Sequence, residues 1–285
     1  MPAKAVVAAL FASAAWAQES KAVAFLVREV PAWKRDNGCY SCHNNGDGAR
    51  ALLIASKHGY EVPAEALRDT LDWLRQPEEW DKNRGNPASS DKLLARIQFT
   101  AALAESGDVR RAAPLLIPLQ SKSGAWTVDA ETDAGSPCTY GPVLATYFAR
   151  EAVKPSSSAD RATAWLRAVK PRSLVDVSAL LLAFPEDKQR LNELLRAQAS
   201  DGGWGPQPST RAEVFDTALA MTALVKAGGP RVSIGKGRKF LLSQQEADGG
   251  WPETTRPSGS QSFAQRISTT AWATIALILT NRERD

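Results

Sequence analysis

Apolar residues recur along this chain at intervals of three and four, the spacing that lines one face of a helix. Ala22 to Trp33, Ala49 to His58 and Ala64 to Gln76 open the series. Lys92 to Glu105, Val109 to Gln120, Gly141 to Ala152, Ala159 to Val169 and Leu174 to Phe184 continue it. Lys188 to Gln198, Arg211 to Ala227, Gly235 to Gln245 and Ala264 to Thr280 complete it. The punctuation agrees. Gly59, Gly107 and Gly228-Gly229 stop helices, Pro63 and Pro77 bracket the third, and Ser90 or Asp91, then Ser158, are placed to cap. Alternating apolar-polar runs are absent, so no strand is expected. The pattern predicts twelve helices in an all-α chain.

A longer period lies on top of the helical one. Gln198 leads into Asp201-Gly202-Gly203-Trp204, and Gln244-Gln245 into Asp248-Gly249-Gly250-Trp251. A weaker copy runs from Leu119-Gln120 into Gly124-Ala125-Trp126. Each unit reads helix, Gly-Trp loop, helix, with Asp216-Thr217-Ala218 or Ser268-Thr269-Thr270 opening the second helix. Glycine permits a tight left-handed turn there, and the indole supplies a large ring to fill the junction between units.

These glutamine-led Asp-Gly-Gly-Trp strings resemble the repeats of squalene-hopene cyclases and prenyltransferases. The resemblance implies an α/α toroid, closed by about six helical hairpins. It does not carry the cyclase reaction with it. In the cyclases' Asp-x-Asp-Asp-Thr-Ala string the middle acid protonates the substrate, and the matching stretch here, Glu213 to Ala218, has Phe215 at that position. Asp216-Thr217 is expected to hydrogen-bond at a helix start instead. Ser136-Pro137-Cys138-Thr139-Tyr140 faintly resembles a zinc-binding stretch of protein prenyltransferases, with serine where the aspartate ligand belongs. Cys138 therefore reads as a small core residue. Asp248 to Pro252 looks like a string of helical-barrel pectate lyases, which points to Arg211, Arg256 and Arg266 as candidates for an acidic sugar, and to the loop carboxylates Asp129 and Asp133 as a calcium site or a catalytic pair.

The N-terminus bears on compartment. Lys4 precedes an apolar run from Ala5 to Ala17, and Ala15-Trp16-Ala17 fits a signal-peptidase site. We expect residues 1–17 to be cleaved and residues 18–285 to form one exported domain, periplasmic or secreted. No run is long enough for a transmembrane segment. The formal charge of +4 comes from scattered residues, so nucleic acid is not an expected partner.

Chemistry concentrates at one place. Cys39-Tyr40-Ser41-Cys42-His43 holds two of the three cysteines and one of the two histidines. Cys-x-x-Cys-His is the attachment pattern of c-type haem: two thiols add to the vinyl groups, and the histidine ligates the iron. A disulfide, half a zinc site and chance are the competing readings. With Gly38 before it and an Ala/Leu-rich helix after, the stretch also looks like the start of haem-motif proteins fused to squalene-cyclase-type repeats. The expectation is one covalent haem c in the loop 38–46 of the first hairpin, with Cys39 and Cys42 binding the cofactor and His43 the metal. That loop would take the place of a Gly-Gly-Trp loop. His58 and Met221 are the remaining axial candidates, and both are expected to lie too far away. Trp126, Trp204 and Trp251 are expected first to pack repeats. The function expected is a redox, electron-transfer or ligand-sensing role with an unidentified redox partner. A haem-free toroid enzyme acting on an isoprenoid or acidic polysaccharide, and an interaction scaffold, are the alternatives.

Overall fold

A computed structural model of the chain describes residues 3–83, 91–128, 134–256 and 262–281, with side chains from residue 16 onward. Among them are twelve α-helices. They are α1 (Ala3–Asn37), α2 (Ala49–Lys57), α3 (Arg68–Leu74), α4 (Lys92–Ser106), α5 (Ala113–Leu116) and α6 (Pro142–Val153), then α7 (Ser157–Ala168), α8 (Leu174–Ala183), α9 (Lys188–Arg196), α10 (Val214–Lys226), α11 (Arg231–Gln244) and α12 (Phe263–Leu279). No strand occurs among the described residues; Trp204 and Glu213 form an isolated bridge.

Outer and inner helices alternate along the chain, six of each, and from α6 onward each outer helix packs on the inner helix before it: α7 on α6, α9 on α8, α11 on α10, and α1 on α12. The even-numbered helices pack edge to edge in a ring: α2 on α4, α4 on α6, α6 on α8, α8 on α10, α10 on α12, and α12 back on α2. The odd-numbered helices lie outside. Burial shows why the sequence sorts them. In α8, α10 and α12 nearly every side chain is buried, whereas only Leu194 of α9 is, among Lys, Arg, Glu and Gln. A helix apolar all round must lie inside; one with a single apolar stripe covers it.

The repeats stitch neighbouring hairpins together identically. Trp126, Trp204 and Trp251 are fully buried, and each Nε1 donates to the carbonyl ten residues back, of Leu116, Leu194 and Leu241. Their backbone N–H groups donate to Thr146, Thr217 and Thr270 in the following inner helix. Gln120, Gln198 and Gln245 each bridge two carbonyls, one in their own Gly loop and one in the next outer helix: Ser158 of α7, Ser233 of α11 and Gln18 of α1. The last stitch returns to the first helix, which closes the ring.

Several boundaries differ from the periodicity. The first helix runs from Ala3 through Pro31 to Asn37, so the expected cut after Ala17 falls within it. Pro114 and Pro118 break the span expected over 109–120 into short 3-10 and α turns, because proline has no N–H to donate. Ala64–Ala66 is a 3-10 turn before α3. Ser156, rather than Ser158, caps α7, and Asp91 caps α4; Ser90 lies outside the described residues.

Candidate functional site

All six inner helices start at the same end of the ring, and the loops that precede them meet there as a mouth. The Cys-x-x-Cys-His stretch is in this mouth, as expected, but its form is different. Only residues 38–41 are open; Cys42–Gly48 is a π-helical turn running straight into α2. The expected loop over 38–46 is therefore a short linker followed by a buried turn. The polar run after His43 causes this. Ser41 Oγ accepts from His43 N, Asn44 Nδ2 donates to Glu29 O, and Asn45 Nδ2 donates to Val30 O and Thr70 Oγ1. These bonds tie the turn to α1 and α3. Gly48 is required by space, since a Cβ there would stand 2.9 Å from a Val30 methyl.

His43 is half-buried, and its Nδ1 is 2.8 Å from Ser268 Oγ. Ser268 Oγ donates in turn to Asp47 Oδ2 at 2.8 Å. Asp47 also accepts from Gln98 Nε2 and from Tyr140 Oη, so residues of α4 and α12 and of the turns before α2 and α6 converge on one carboxylate. Burial pushes the Asp47 carboxyl up to about 6 despite those donors and the Arg50 charge. Burial also lowers His43 to about 4, so its imidazole is neutral near pH 7. Tyr140 is raised by burial and by Asp47 and stays a neutral donor. His43 Nε2 has no hydrogen-bond partner among the described residues.

Cys39, Cys42 and Cys138 are free thiols. Cys42 packs with Leu71, Trp73 and Ala95 against Trp80 and Phe99, and burial pushes its thiol up to about 12. Tyr40 stacks on Trp73 at 4.2 Å, so an aromatic cluster flanks the motif. Cys138, in the turn before α6, is raised by burial and then by the neighbouring Cys42 and Asp47. The structure thus brings the lone cysteine beside the motif, which spacing alone did not suggest. No group of three or more His, Cys, Asp or Glu side chains suited to a metal ion occurs among the described residues.

The other candidates fall elsewhere. His58 caps the far end of α2, with Nδ1 2.9 Å from Ile54 O. Met221 is fully buried against Gly237 and Trp204, as core. Arg256, proposed from the sequence for substrate contact, is committed instead: it pairs with Glu213 and Asp216 and donates to Gly135 O. It thus bolts three loops of the mouth together. Asp216 is pushed up to about 7, because burial outweighs Arg256 and Glu213 adds repulsion. Arg266 pairs with Glu246 and Asp248, and Arg211 is exposed. Asp129 and Asp133 lie outside the described residues. Trp126, Trp204 and Trp251 pack the repeats and present no surface to the mouth.

Across the ring axis, the rings of Phe148 (α6) and Trp272 (α12) come within 5.9 Å from opposite helices. Phe215 and Tyr140 pack edge-on against Trp272. The centre is therefore lined, and at this level crossed, by aromatic side chains.

Neither a family model nor a curated protein matches the chain. Solved structures do. The type II terpene cyclase MstE from Scytonema superposes with a TM-score of 0.62 at 14% identity, over 93% of this chain and 97% of that one. A protein from Actinoplanes gives 0.63 at 14% identity, over 93% and 99%. The fold is the α/α toroid of the terpene cyclases. An ent-copalyl diphosphate synthase from Streptomyces platensis matches at 0.50 and 18% identity, over 81% of this toroid and half of its own length.

The sequence reading missed Asp47, Gln98, Tyr140, Ser268 and Arg50. Two of them carried a signal: Asp47 closes the polar run that follows His43, and Arg50 interrupts the apolar start of α2. The other three join the site only through the closure of the ring.

Proposed function

We propose that this toroid is an exported protein that binds one c-type haem covalently at its mouth, through Cys39 and Cys42, with His43 as the iron ligand. The observation that carries the reading is the state of His43. Its Nδ1 is held by Ser268, itself fixed on Asp47, while Nε2 has no partner among the described residues. A histidine anchored through one nitrogen and free at the other is the arrangement by which a protein orients a metal ligand. Burial keeps the ring neutral, as ligation requires. Both thiols are unpaired, and the Tyr40, Trp73, Trp80 and Phe99 rings supply an apolar flank suited to a porphyrin. The haem would supply one-electron or ligand-binding chemistry. The chain's part is to hold His43 in one tautomer, with Ser268 and Asp47, and to shield Cys42 from water.

His58 and Met221 lie away from the mouth, so no second axial ligand is expected from them. Protein made alongside the haem-attachment machinery should show a c-type pyridine haemochrome, lost in Cys39→Ala/Cys42→Ala. A colourless parent protein would overturn the reading, and a low-spin His/Met spectrum would overturn the ligand assignment.

A second reading, a toroid enzyme acting on an isoprenoid, is favoured over the first by the solved structures. A variant of MstE was solved in complex with geranylgeranyl dihydroxybenzoate, its substrate, and matches at a TM-score of 0.62 and 14% identity, over 94% of this chain and 98% of that one. The aromatic lining of the centre suits an apolar chain. Against it stand Phe215 at the acid position and the Phe148–Trp272 contact across the axis. Turnover of a geranylgeranyl substrate by protein lacking Cys39 and Cys42 would establish the second reading over the first.

A further inference from the structure

Arg50 is the second residue of α2 and only 6% exposed. Its guanidinium carbon lies 4.5 Å from the centre of the Phe148 ring and 4.6 Å from that of Trp272. Those rings come from opposite inner helices, so the cation stands on the axis of the toroid. Among the described residues it makes no hydrogen bond and no ion pair. Its Nη1 is a buried donor without an acceptor, and so is Nε1 of Trp272, on the indole it stacks against.

Asp47, one turn earlier, is the nearest counter-charge. Its oxygens are served by others, Oδ1 by Tyr140 and Oδ2 by Ser268 and Gln98, and Arg50 donates to neither. Cation–π contact offsets part of the loss of hydration but satisfies no N–H. Phe148, alone among these aromatic groups, stays partly exposed on an inner helix, which marks an approach from solvent.

The geometry points to a carboxylate-binding site on the toroid axis, where Arg50 Nη1 and Trp272 Nε1 donate to one carboxylate group beside the Phe148 ring. A flat monoanion with two oxygens suits one edge of a guanidinium beside an indole N–H. A dianion would be disfavoured by the Asp47 carboxyl close by. The carboxylate has two sources, a free organic acid or a propionate of the haem proposed above. The site does not depend on which, and it stands if no haem is bound.

The test is a calorimetric titration of the full chain with benzoate and with dodecanoate, each beside its primary amide as the uncharged isostere. It is run on the parent and on Cys39→Ala/Cys42→Ala. Saturable binding of at least one acid, tenfold or more tighter than its amide, is expected in the haem-free variant. Arg50→Gln should lose tenfold or more, and Trp272→Phe, which keeps a ring but removes the N–H, should lose severalfold. Circular dichroism melts would confirm that both fold. If the acid binds haem-free but not haem-loaded protein, the native carboxylate is the propionate; if it binds both, the native ligand is a free acid. Equal affinity for acid and amide, or an Arg50→Gln variant that binds as the parent does, would overturn the site and leave water as the partner of Nη1. So would absence of acid binding in both proteins.

Discussion

At the scale of residues, the site is organised by Asp47 rather than by the cysteines that identify it in the sequence. One buried carboxyl gathers Ser268, Gln98 and Tyr140, and Ser268 passes that order to His43. Cys39, Cys42 and His43 stand out in the sequence by their spacing, the one c-type haem attachment requires. Ser268 does not, because it lies 225 residues from His43 and is recruited by α12 packing on α2. The buried carboxyl has a measurable consequence. Its pKa rises from 3.8 to about 6 on folding, so the folded protein holds that proton more tightly than the unfolded chain. Its contribution to stability is full below about pH 4 and is lost as pH rises through 6, by about 3 kcal/mol. Asp47→Asn cannot ionise and lacks this loss. Urea midpoints at pH 4 and pH 7 should show the parent losing ground to Asp47→Asn by about that amount between the two. His43, lowered to about 4 by burial, brings its own pH dependence and is coupled to Asp47 through Ser268, so both proteins carry His43→Gln in this comparison. A difference that does not change with pH would show Asp47 to be ionised throughout.

At the scale of elements, the Gln-x-x-Asp-Gly-Gly-Trp unit was legible as a repeat, and its physical content is a junction. The first glycine shows why the residue type matters. Gly249 has φ of +97°, and a Cβ there would stand 2.4 Å from the Lys21 carbonyl of α1. Gly107 has a similar φ of +86° with nothing within 4 Å of such a Cβ. Gly107→Ala should therefore cost about 1 kcal/mol, the penalty of the left-handed conformation alone. Gly249→Ala should cost about 2–3 kcal/mol, since backbone must also move. Equal costs in denaturant unfolding would show that the junction yields freely. Helix ends were less legible. Pro114 and Pro118 fragment a segment whose apolar spacing is helical, because the period reports which face is buried and not whether every N–H finds a carbonyl. The π-helical turn at Cys42–Gly48 was hidden for a related reason: the contacts that shape it come from α1, α3 and α12.

At the scale of the whole molecule, a ring differs from a row of hairpins in that its last unit must find its first. Beside the packing of α12 on α1 and α2, two contacts at the first residues of this segment of α1 do this. Gln245 donates to Gln18 O, and Arg238 of α11 pairs with Glu19 of α1. Glu19 is fully buried and also accepts from Tyr60 Oη and Asn281 Nδ2, so α1, α2, α11 and α12 are joined through one carboxylate. The number of hairpins was legible by counting helices, but the closure was not, since nothing near Glu19 or Arg238 in sequence marks them as partners. Breaking a buried ion pair by removing one member leaves the other charge unmet, at about 3–5 kcal/mol. Glu19→Ala should lower stability by that order, against about 0.5 kcal/mol or less for Glu193→Ala, whose partner Arg190 lies one turn away at the surface. The same geometry sets where the chain can begin. A protein starting at Gln18, the expected product of cleavage after Ala17, keeps both closing contacts and, among the described side chains, loses that of Trp16, whose stack on Tyr60 is worth about 1 kcal/mol. A protein starting at Ala22 loses both contacts as well. Thermal unfolding of the two should differ by several times the gap between the Gln18 start and the full chain. Near-equal melting of all three would mean that the ring closes without its first turn.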